Sequence, residues 1–385
     1  MGYEIELLTK KDIGQFRKLV NHAFPGEAPF NKTWSHTSLS KVDRGNKHLG
    51  IRDKGAVVSH VGVYPMPVKL PGAILKVAGI GAVATYEEYR GKGFMKLELD
   101  AAGKIMREDG YDISWLNGDR KRYGYFGWEN SGRLLKYCIT ERMTKGIDTK
   151  EFTYKKYSGG SKDLKNIIKM HEKDGLGLKR TLADNKLCFG RLRRTTVLAL
   201  KGKKPAAYIN FSKNKWLNDA GTVLEYGGDL KALKALIRRI IDINKYKEIE
   251  VFSPPFFNRY TELFVSIASY SILRNDGMIK IIDLKSALKK FTGQMSKKIR
   301  GLNLKKTSVT LEIPELCQQA TLEIGKTVKV TDKEAKLKIS LNRRDMVRFL
   351  FGYSKLSDDF NLDVKYSALN IVLPLDVYMT RLETV

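Results

Sequence analysis

The stretch Val83-Ala-Thr-Tyr-Glu-Glu-Tyr-Arg-Gly-Lys-Gly93 decides the fold, because it joins an extended segment to a helix through a basic, glycine-containing turn. Residues 74–85 are rich in Val, Ile, Ala and Gly, which predicts a β-strand. Residues 94–107 repeat apolar side chains every three or four positions, which predicts a helix. A strand, a basic turn and a helix in this order predict an anion-binding site at the start of the helix.

The turn itself consists of Arg90, Gly91, Lys92 and Gly93. Glycines allow a ligand to approach the backbone closely, and the first N–H groups of a helix have no partner within it. Together with two cationic side chains, these groups suit a pyrophosphate. The chain has neither GxxxxGK[ST] nor GxGxxG here, so a nucleoside triphosphate and a dinucleotide are disfavoured, and a coenzyme that carries a pyrophosphate is expected.

Composition excludes several other classes. The chain has 385 residues, which predicts two or three domains, and its 42% hydrophobic content is that of a globular protein. Three scattered cysteines, Cys138, Cys188 and Cys317, predict neither a disulfide framework nor a zinc site, and the five histidines have no metal-ligand spacing, so no metal is expected. Without a secretory signal or a membrane-spanning segment, we expect a cytoplasmic protein.

The net charge is +28, and most of the excess lies after residue 145. Such a field favours anionic partners, but no helix-turn-helix, zinc-finger or aromatic ribonucleoprotein pattern accompanies it. Solvated lysine-rich faces explain the charge more simply. We therefore expect no specific nucleic-acid partner.

The order of predicted elements divides the chain into three parts. Residues 1–147 alternate helices and strands and predict a mixed sheet, closed by a strand at Leu134 to Glu141. Residues 148–277 repeat this pattern without a basic glycine turn; there, Asp229 precedes an amphipathic helix. Residues 278–385 begin with a short strand at Ile279 to Leu284 and continue with alternating runs at 308–313, 327–330 and 336–341 and a helix, which predicts a small α+β domain. The fold class is α/β (α+β).

These residues resemble a known family. Thr85-x-x-x-x-Arg90-Gly-Lys-Gly93 resembles motif A of the GNAT acetyltransferases, R/Q-x-x-G-x-G/A, although Met95 stands where Gly or Ala is usual. Together with Tyr123-Gly-Tyr-Phe-Gly-Trp128 and the tripartite layout, the whole chain resembles the enhanced-intracellular-survival acetyltransferases. That resemblance implies a catalytic GNAT domain, a second, degenerate GNAT domain and a sterol-carrier-like C-terminal domain.

The resemblance also implies roles for particular residues. Val83 and Thr85 would align the pantetheine arm of acetyl-CoA, and the turn Arg90 to Gly93 (Arg90, Gly91, Lys92 and Gly93) would hold its pyrophosphate. Tyr123 matches the general acid for the CoA sulfur, and we expect neighbouring cations to ease its ionisation. Val385 occupies the place of the C-terminal carboxylate that acts as base.

The substrate is open at this point. The resemblance implies primary amines of aminoglycosides or lysine side chains, modified by direct attack in a ternary complex of a homohexamer. Four acids are candidates for an acidic amine pocket, namely Glu27, Asp119, Glu129 and Glu383. Two alternatives are a tRNA-dependent aminoacyl transferase with paired GNAT-like domains and a non-enzymatic protein that binds lipid or nucleic acid.

Overall fold

The computed structural model describes residues 3–39, 45–214, 217–352, 360 and 363–385. The strands, in chain order, are β1 Ile5–Leu7, β2 Lys47–Asp53, β3 Ala56–Leu70, β4 Ala73–Thr85, β5 Ile113–Leu116, β6 Glu129–Asn130, β7 Leu134–Thr140, β8 Thr153–Lys156, β9 Thr195–Lys201, β10 Lys204–Lys213, β11 Ala220–Gly228, β12 Glu248–Ser253, β13 Tyr270–Arg274, β14 Met278–Ile281, β15 Thr307–Ile313, β16 Gln318–Ile324, β17 Val328–Thr331 and β18 Leu337–Ser340.

The α-helices, in chain order, are α1 Ile13–Ala23, α2 Phe30–Thr33, α3 Phe94–Glu108, α4 Arg120–Gly124, α5 Ser161–Asp174, α6 Leu182–Phe189, α7 Leu230–Asn244, α8 Thr261–Ile267, α9 Leu284–Lys298, α10 Arg343–Phe351 and α11 Ser367–Val372. Short 3₁₀ turns lie at Lys10–Asp12, Pro25–Glu27, Glu87–Tyr89, Arg142–Thr144, Pro314–Leu316 and Val364–Tyr366. None of the described helices combines the length and apolarity that crossing a bilayer requires.

The chain divides into two compact units. Unit 1 contains the residues up to Arg133, the segment Asn275–Val377 and Val385. Unit 2 contains Leu134–Arg274 and Tyr378–Thr384. Mixed sheets flanked by helices occur in both units, which confirms the predicted α/β (α+β) class.

The larger sheet of unit 1 has the strand order β1-β2-β3-β4-β5-β14-β6. Within it β4 and β5 run parallel, whereas the other neighbours are antiparallel. Helix α3 packs against this sheet because its buried positions recur every three to four residues along one face. Leu99, Ala102 and Met106 of that face join Val61 and Ile80 of the strands in one apolar cluster.

The smaller sheet of unit 1 has the order β17-β16-β15-β18 and packs on α9. Val309, Leu311 and Ile313 are buried at every second position of β15, as a sheet with one covered face requires. The predicted runs at 308–313, 327–330 and 336–341 are therefore strands, whereas β16 was not foreseen.

Unit 2 has one sheet, with the order β13-β7-β12-β11-β10-β9-β8. Helix α7 covers it with Leu233, Leu236, Ile237 and Ile240, all of which are buried. The described tail residues Tyr378–Thr384 belong to this unit, where Leu382 is buried in an apolar cluster with Leu164 and Tyr208.

Two strands lie in other sheets than the sequence predicts. The strand at Leu134–Thr140 does not close the first sheet but pairs with β12 and β13 in unit 2. The strand at Met278–Ile281 does not begin the small domain but pairs with β5 and β6 in the larger sheet of unit 1. An apolar, alternating segment specifies a strand but not its neighbour, because the pairing partner is fixed only by long-range packing. The sterol-carrier-like character of the last segment stays a prediction.

Candidate acetyl-transfer site in unit 1

The outer edge of β4 is unpaired at its C-terminal half. Strand β5 pairs with β4 only from Val77 to Gly79. Beyond Gly79, no strand of the described chain pairs with β4 on that side. On its other side, β4 pairs with β3 through Gly81 and again at Ala84 and Thr85, with a register shift between. The unpaired backbone groups of this edge can bond an extended ligand as an added strand would.

The register shift marks a bulge at Ala82 and Val83. Ala82 has a φ of 52°, a backbone angle that residues other than glycine rarely adopt. A β-bulge accommodates this angle. The bulge is fixed from behind, because His60 Nδ1 lies 2.8 Å from the Ala82 carbonyl oxygen. Val83 packs on the apolar cluster that contains Tyr123. Val83 and Thr85 thus lie on the part of β4 beyond Gly79, where β5 no longer pairs with it.

The turn from Arg90 to Gly93 is open to solvent. Gly91 and Gly93 both have a φ of 80°, in the left-handed region that glycine tolerates. A Cβ atom at either position would meet no atom within 4 Å, so the space beside the turn is free. No side chain caps the start of α3. The backbone N–H groups of the first turn of α3, which have no partner within the helix, are therefore available to an anion.

The two cations of the turn are held loosely. Arg90 pairs with Glu87 at 2.8 Å, and its side chain is 61% exposed. The Lys92 ammonium lies 4.6 Å from the centre of the Tyr89 ring. An exposed pair contributes little to stability, so Arg90 can exchange Glu87 for a phosphate at small cost.

Tyr123 lies on α4, whose start is capped by Asp119, which accepts from Arg122 N at 2.7 Å. Tyr123 is 8% exposed and packs edge-on against Trp128. Burial raises the pKa of Tyr123, and the attraction of Arg122 only partly offsets this rise. The expectation that nearby cations ease its ionisation is wrong, because desolvation of the phenolate outweighs their charge. A neutral phenol is the form that donates a proton.

The last residue lies beside β4. A Cβ atom at Gly79 would come within 2.8 Å of Val385 Cγ2, and one at Gly81 would lie 3.6 Å from the carbonyl carbon of Val385. The two glycines thus leave space on β4 for Val385 and also for Met66 and Tyr64, whose side-chain atoms would lie 2.4 Å and 3.2 Å from the added Cβ atoms. The signal for this was in the sequence, in Gly79-Ile-Gly81, but a glycine does not reveal what it makes room for.

All four candidate acids have hydrogen-bond or ion-pair partners. Glu129 is buried and pairs with Arg120 and Arg344. Asp119 caps α4. Glu383 belongs to unit 2, where it is fully buried and accepts from the backbone N–H groups of Leu178 and Thr380. Glu27 accepts from Trp34 Nε1 at 3.1 Å. An amine pocket that contains one of these acids stays a prediction.

Unit 2 contains a buried ionic cluster that sequence reasoning missed. The Arg180 guanidinium lies 3.0 Å from Glu225 and 3.3 Å from Glu383, and His171 lies 3.8 Å from each carboxylate. Burial opposes the ionised form of Glu225, but Arg180 holds its pKa below the ordinary value. His171, Glu225 and Glu383 are also close enough together to ligate a metal ion, and Arg180 already brings a positive charge to them.

Comparison with known proteins identifies the domain formed by the first part of unit 1. Residues 4–131 match the family model described as an acetyltransferase (GNAT) domain. These residues form a GNAT acetyltransferase domain. The predicted enzyme class is thereby confirmed for this domain, which contains β4, the basic turn, α3 and Tyr123. No curated protein matches the sequence significantly.

Solved structures share the fold over nearly the whole chain. A probable N-acyltransferase of unknown function from Enterococcus faecalis V583 superposes with a TM-score of 0.72 at 18% identity, over 98% of this chain and 99% of that one. A GCN5-related N-acetyltransferase from Anabaena variabilis gives 0.72 at 16% identity, with the same coverage of both chains. Eis1 from Mycobacterium abscessus gives 0.64 at 13% identity, over 98% of each chain. At these identities, the likeness establishes the fold alone.

Proposed function

We propose that the protein is an acetyl-CoA-dependent N-acetyltransferase that acetylates primary amines. The observation that supports this most strongly is the uncapped, solvent-open start of α3 beside the unpaired edge of β4. A helix N-terminus with two cations suits a pyrophosphate, and an open strand edge suits a chain of amides. The coenzyme carries both groups, and the space beside Gly91 and Gly93 is free to admit the pyrophosphate.

In this proposal the elements divide the work. The edge of β4 at Val83 and Thr85 aligns the pantetheine amides, which fixes the thioester relative to the bulge. Gly91 and Gly93 bring backbone N–H groups to the pyrophosphate, while Arg90 and Lys92 add positive charge. When bound, acetyl-CoA supplies the activated acetyl group.

Proton transfer falls to two further groups. Tyr123, kept neutral by burial, donates its proton to the leaving sulfur of the coenzyme. The carboxylate of Val385, beside Gly81, accepts a proton from the attacking ammonium group, so that a neutral amine attacks the thioester directly. None of the three cysteines lies on β4, in the basic turn or on α4, which favours direct transfer over a covalent acyl-enzyme.

The amines we propose are those of aminoglycosides or of lysine side chains, and the assembly we propose is a homohexamer. Both follow from the family resemblance. A panel of aminoglycosides and lysine peptides, followed by release of free CoA thiol, tests the substrate. Light scattering coupled to size-exclusion chromatography tests the assembly.

Coenzyme binding is tested first by calorimetry. Replacing Arg90 and Lys92 together by Ala is expected to weaken acetyl-CoA binding by about a hundredfold, since two charge-assisted contacts are lost. Lys104→Ala, an exposed cation farther along α3, is the matched control and should bind normally. Unchanged affinity in the double variant would overturn the proposed site.

The proton-transfer roles are tested by turnover. Tyr123→Phe should lower kcat by about a hundredfold or more and leave acetyl-CoA affinity within about twofold, because only the donated proton is removed. Residues appended after Val385 should reduce kcat in the same way. Full turnover in either protein would remove that group from the mechanism.

A further inference from the structure

Glu98 is a buried acid on α3, the helix that starts at the basic turn. Its side chain is 0% exposed, although its neighbours along the same face are apolar. Glu98 Oε2 lies 2.6 Å from Ser59 Oγ on β3. Glu98 Oε1 is buried and has no hydrogen-bond partner among the described residues. The mechanism proposed above does not use this carboxyl group.

The hydrogen bond continues from Ser59 to the strand edge where the coenzyme is proposed to bind. Ser59 and Thr85 lie opposite each other in the register of β3 and β4, and their hydroxyl oxygens are 2.9 Å apart. The Ala84 carbonyl oxygen is a longer alternative acceptor for Ser59, at 3.3 Å. Thr85 is half-buried, whereas Ser59 and Glu98 are fully buried. One chain of hydrogen bonds thus connects Glu98 to the surface at Thr85.

No ion pair neutralises Glu98 in the described chain. Several titratable groups on the strands that α3 covers are bonded elsewhere: His48 to His60, Tyr64 to the Gly81 carbonyl, Glu6 to Arg52, and Asp53 to Tyr89. The lysines of these strands, Lys47, Lys69 and Lys76, form no ion pair with Glu98, whose partner among the described residues is Ser59. Burial raises the pKa of Glu98 to about 8, against a smaller lowering by Ser59. Near neutral pH the carboxyl group is therefore mostly protonated.

The protonation state of Glu98 sets the direction in which the hydrogen bonds from Glu98 through Ser59 to Thr85 run. An ionised carboxylate only accepts, so Ser59 donates to Glu98, Thr85 donates to Ser59, and Thr85 turns an oxygen lone pair outward. A protonated Glu98 donates to Ser59. Ser59 can then donate to Thr85, and the Thr85 hydroxyl hydrogen is free to point outward. The same three side chains thus present a donor in one state and an acceptor in the other.

We propose that Glu98 is a positioning residue for the coenzyme: in its protonated form it orients the Thr85 hydroxyl, through Ser59, as a donor toward an oxygen of acetyl-CoA. This inference rests on the proposed function. Loss of the proton to solvent reverses the chain and places a negative charge behind the strand edge. Both changes weaken binding of an anionic ligand whose oxygens accept.

Calorimetric titration of the full-length protein with acetyl-CoA between pH 6.5 and pH 9.0 tests the proposal. The wild-type affinity should be constant up to about pH 7 and fall by about tenfold at pH 9.0. Glu98→Gln, whose uncharged amide can donate to Ser59 at every pH, should keep the affinity within about twofold across this range. Glu108→Gln, an exposed site on the same helix, should follow the wild type.

Two further variants separate positioning from a structural role. Ser59→Ala should flatten the pH profile because it interrupts the chain, and it serves if Glu98→Gln does not fold. Thr85→Val should bind weakly at every pH. A Glu98→Gln profile that falls with the wild type overturns the inference while leaving the coenzyme site intact. No binding of acetyl-CoA to the wild type at any pH overturns the proposed function and this inference with it.

Discussion

Each unit contains a strand that is followed in the chain by a long helix. The two helices differ in how their first residues are capped. In unit 1, β4 leads through Gly91 and Gly93 to α3, and no side chain caps that helix. In unit 2, β11 leads to α7, whose start is capped by Asp229, which accepts from Ala232 N at 2.9 Å. The carboxylate of unit 2 occupies the position that an anionic ligand would need. Similar topology therefore gives a helix start without a side-chain cap in one unit and a capped helix start in the other.

The buried acids of the two units differ in the same way. Glu225 and Glu383 of unit 2 share the guanidinium of Arg180, which balances one negative charge, and burial raises the pKa of Glu383. Glu98 of unit 1 has only a hydroxyl partner, and its pKa is raised. A neutralised cluster holds structure together, whereas a lone acid can gain and lose a proton near physiological pH.

The largest effect is expected in unit 2. Arg180→Met should lower the free energy of unfolding by about 3 to 5 kcal/mol, because it removes the guanidinium that two buried carboxylates share. Urea unfolding followed by circular dichroism measures this. Arg274→Met, at an exposed position of β13, should change the stability by less than about 0.5 kcal/mol. Equal free energies of unfolding for the two variants would show that Arg180 is not what stabilises these buried acids.

The lone acid of unit 1 should make stability depend on pH. Because folding raises the pKa of Glu98 from 4.5 to about 8, its contribution is complete below pH 4.5 and is lost as the pH rises through 8. Relative to the wild type, Glu98→Gln should therefore gain roughly 4 kcal/mol of stability between pH 5 and pH 9. Urea midpoints at both pH values, with Glu108→Gln as control, measure the difference. A constant difference at the two pH values contradicts an uncharged Glu98.

A carboxylate can also be introduced at the open helix. Gly93→Asp should weaken acetyl-CoA binding by about ten- to a hundredfold, because the new charge repels the phosphates at the start of α3. Gly93→Asn is the neutral match, and both residues tolerate the left-handed backbone better than other side chains. Calorimetry compares the two. If Asn and Asp weaken binding equally, the charge of the helix start is not what matters.

The smallest effect is expected from removing the cap in unit 2. Asp229→Ala should lower the free energy of unfolding by about 1 kcal/mol, since one helix N–H loses its acceptor. It should not create acetyl-CoA binding in unit 2, because Asp229 is not the only difference from unit 1. Thermal unfolding with and without acetyl-CoA checks both statements. Asp148→Ala, whose carboxylate bonds a loop N–H rather than a helix start, is the control.

The sequence by itself determined the local features of this protein. The strand before the turn at Arg90 to Gly93 and the helix after it are each predicted from the apolar residues of that segment alone. The N-cap Asp229 is predicted in the same way, because the apolar pattern of α7 begins directly after it. The position of Tyr123 after β5 followed from the family motif. These features depend on residues close together in the chain, which is why a single sequence sufficed.

The tertiary structure alone decided which distant segments meet. It paired the strand at Leu134–Thr140 with unit 2, brought Val385 beside Gly79, and placed Glu98 against Ser59. It also reversed the expected change in the pKa of Tyr123, because burial raises this pKa by more than the charge of Arg122 lowers it. Pairing, burial and electrostatics between remote residues arise only when the chain is packed, so no local pattern contains them.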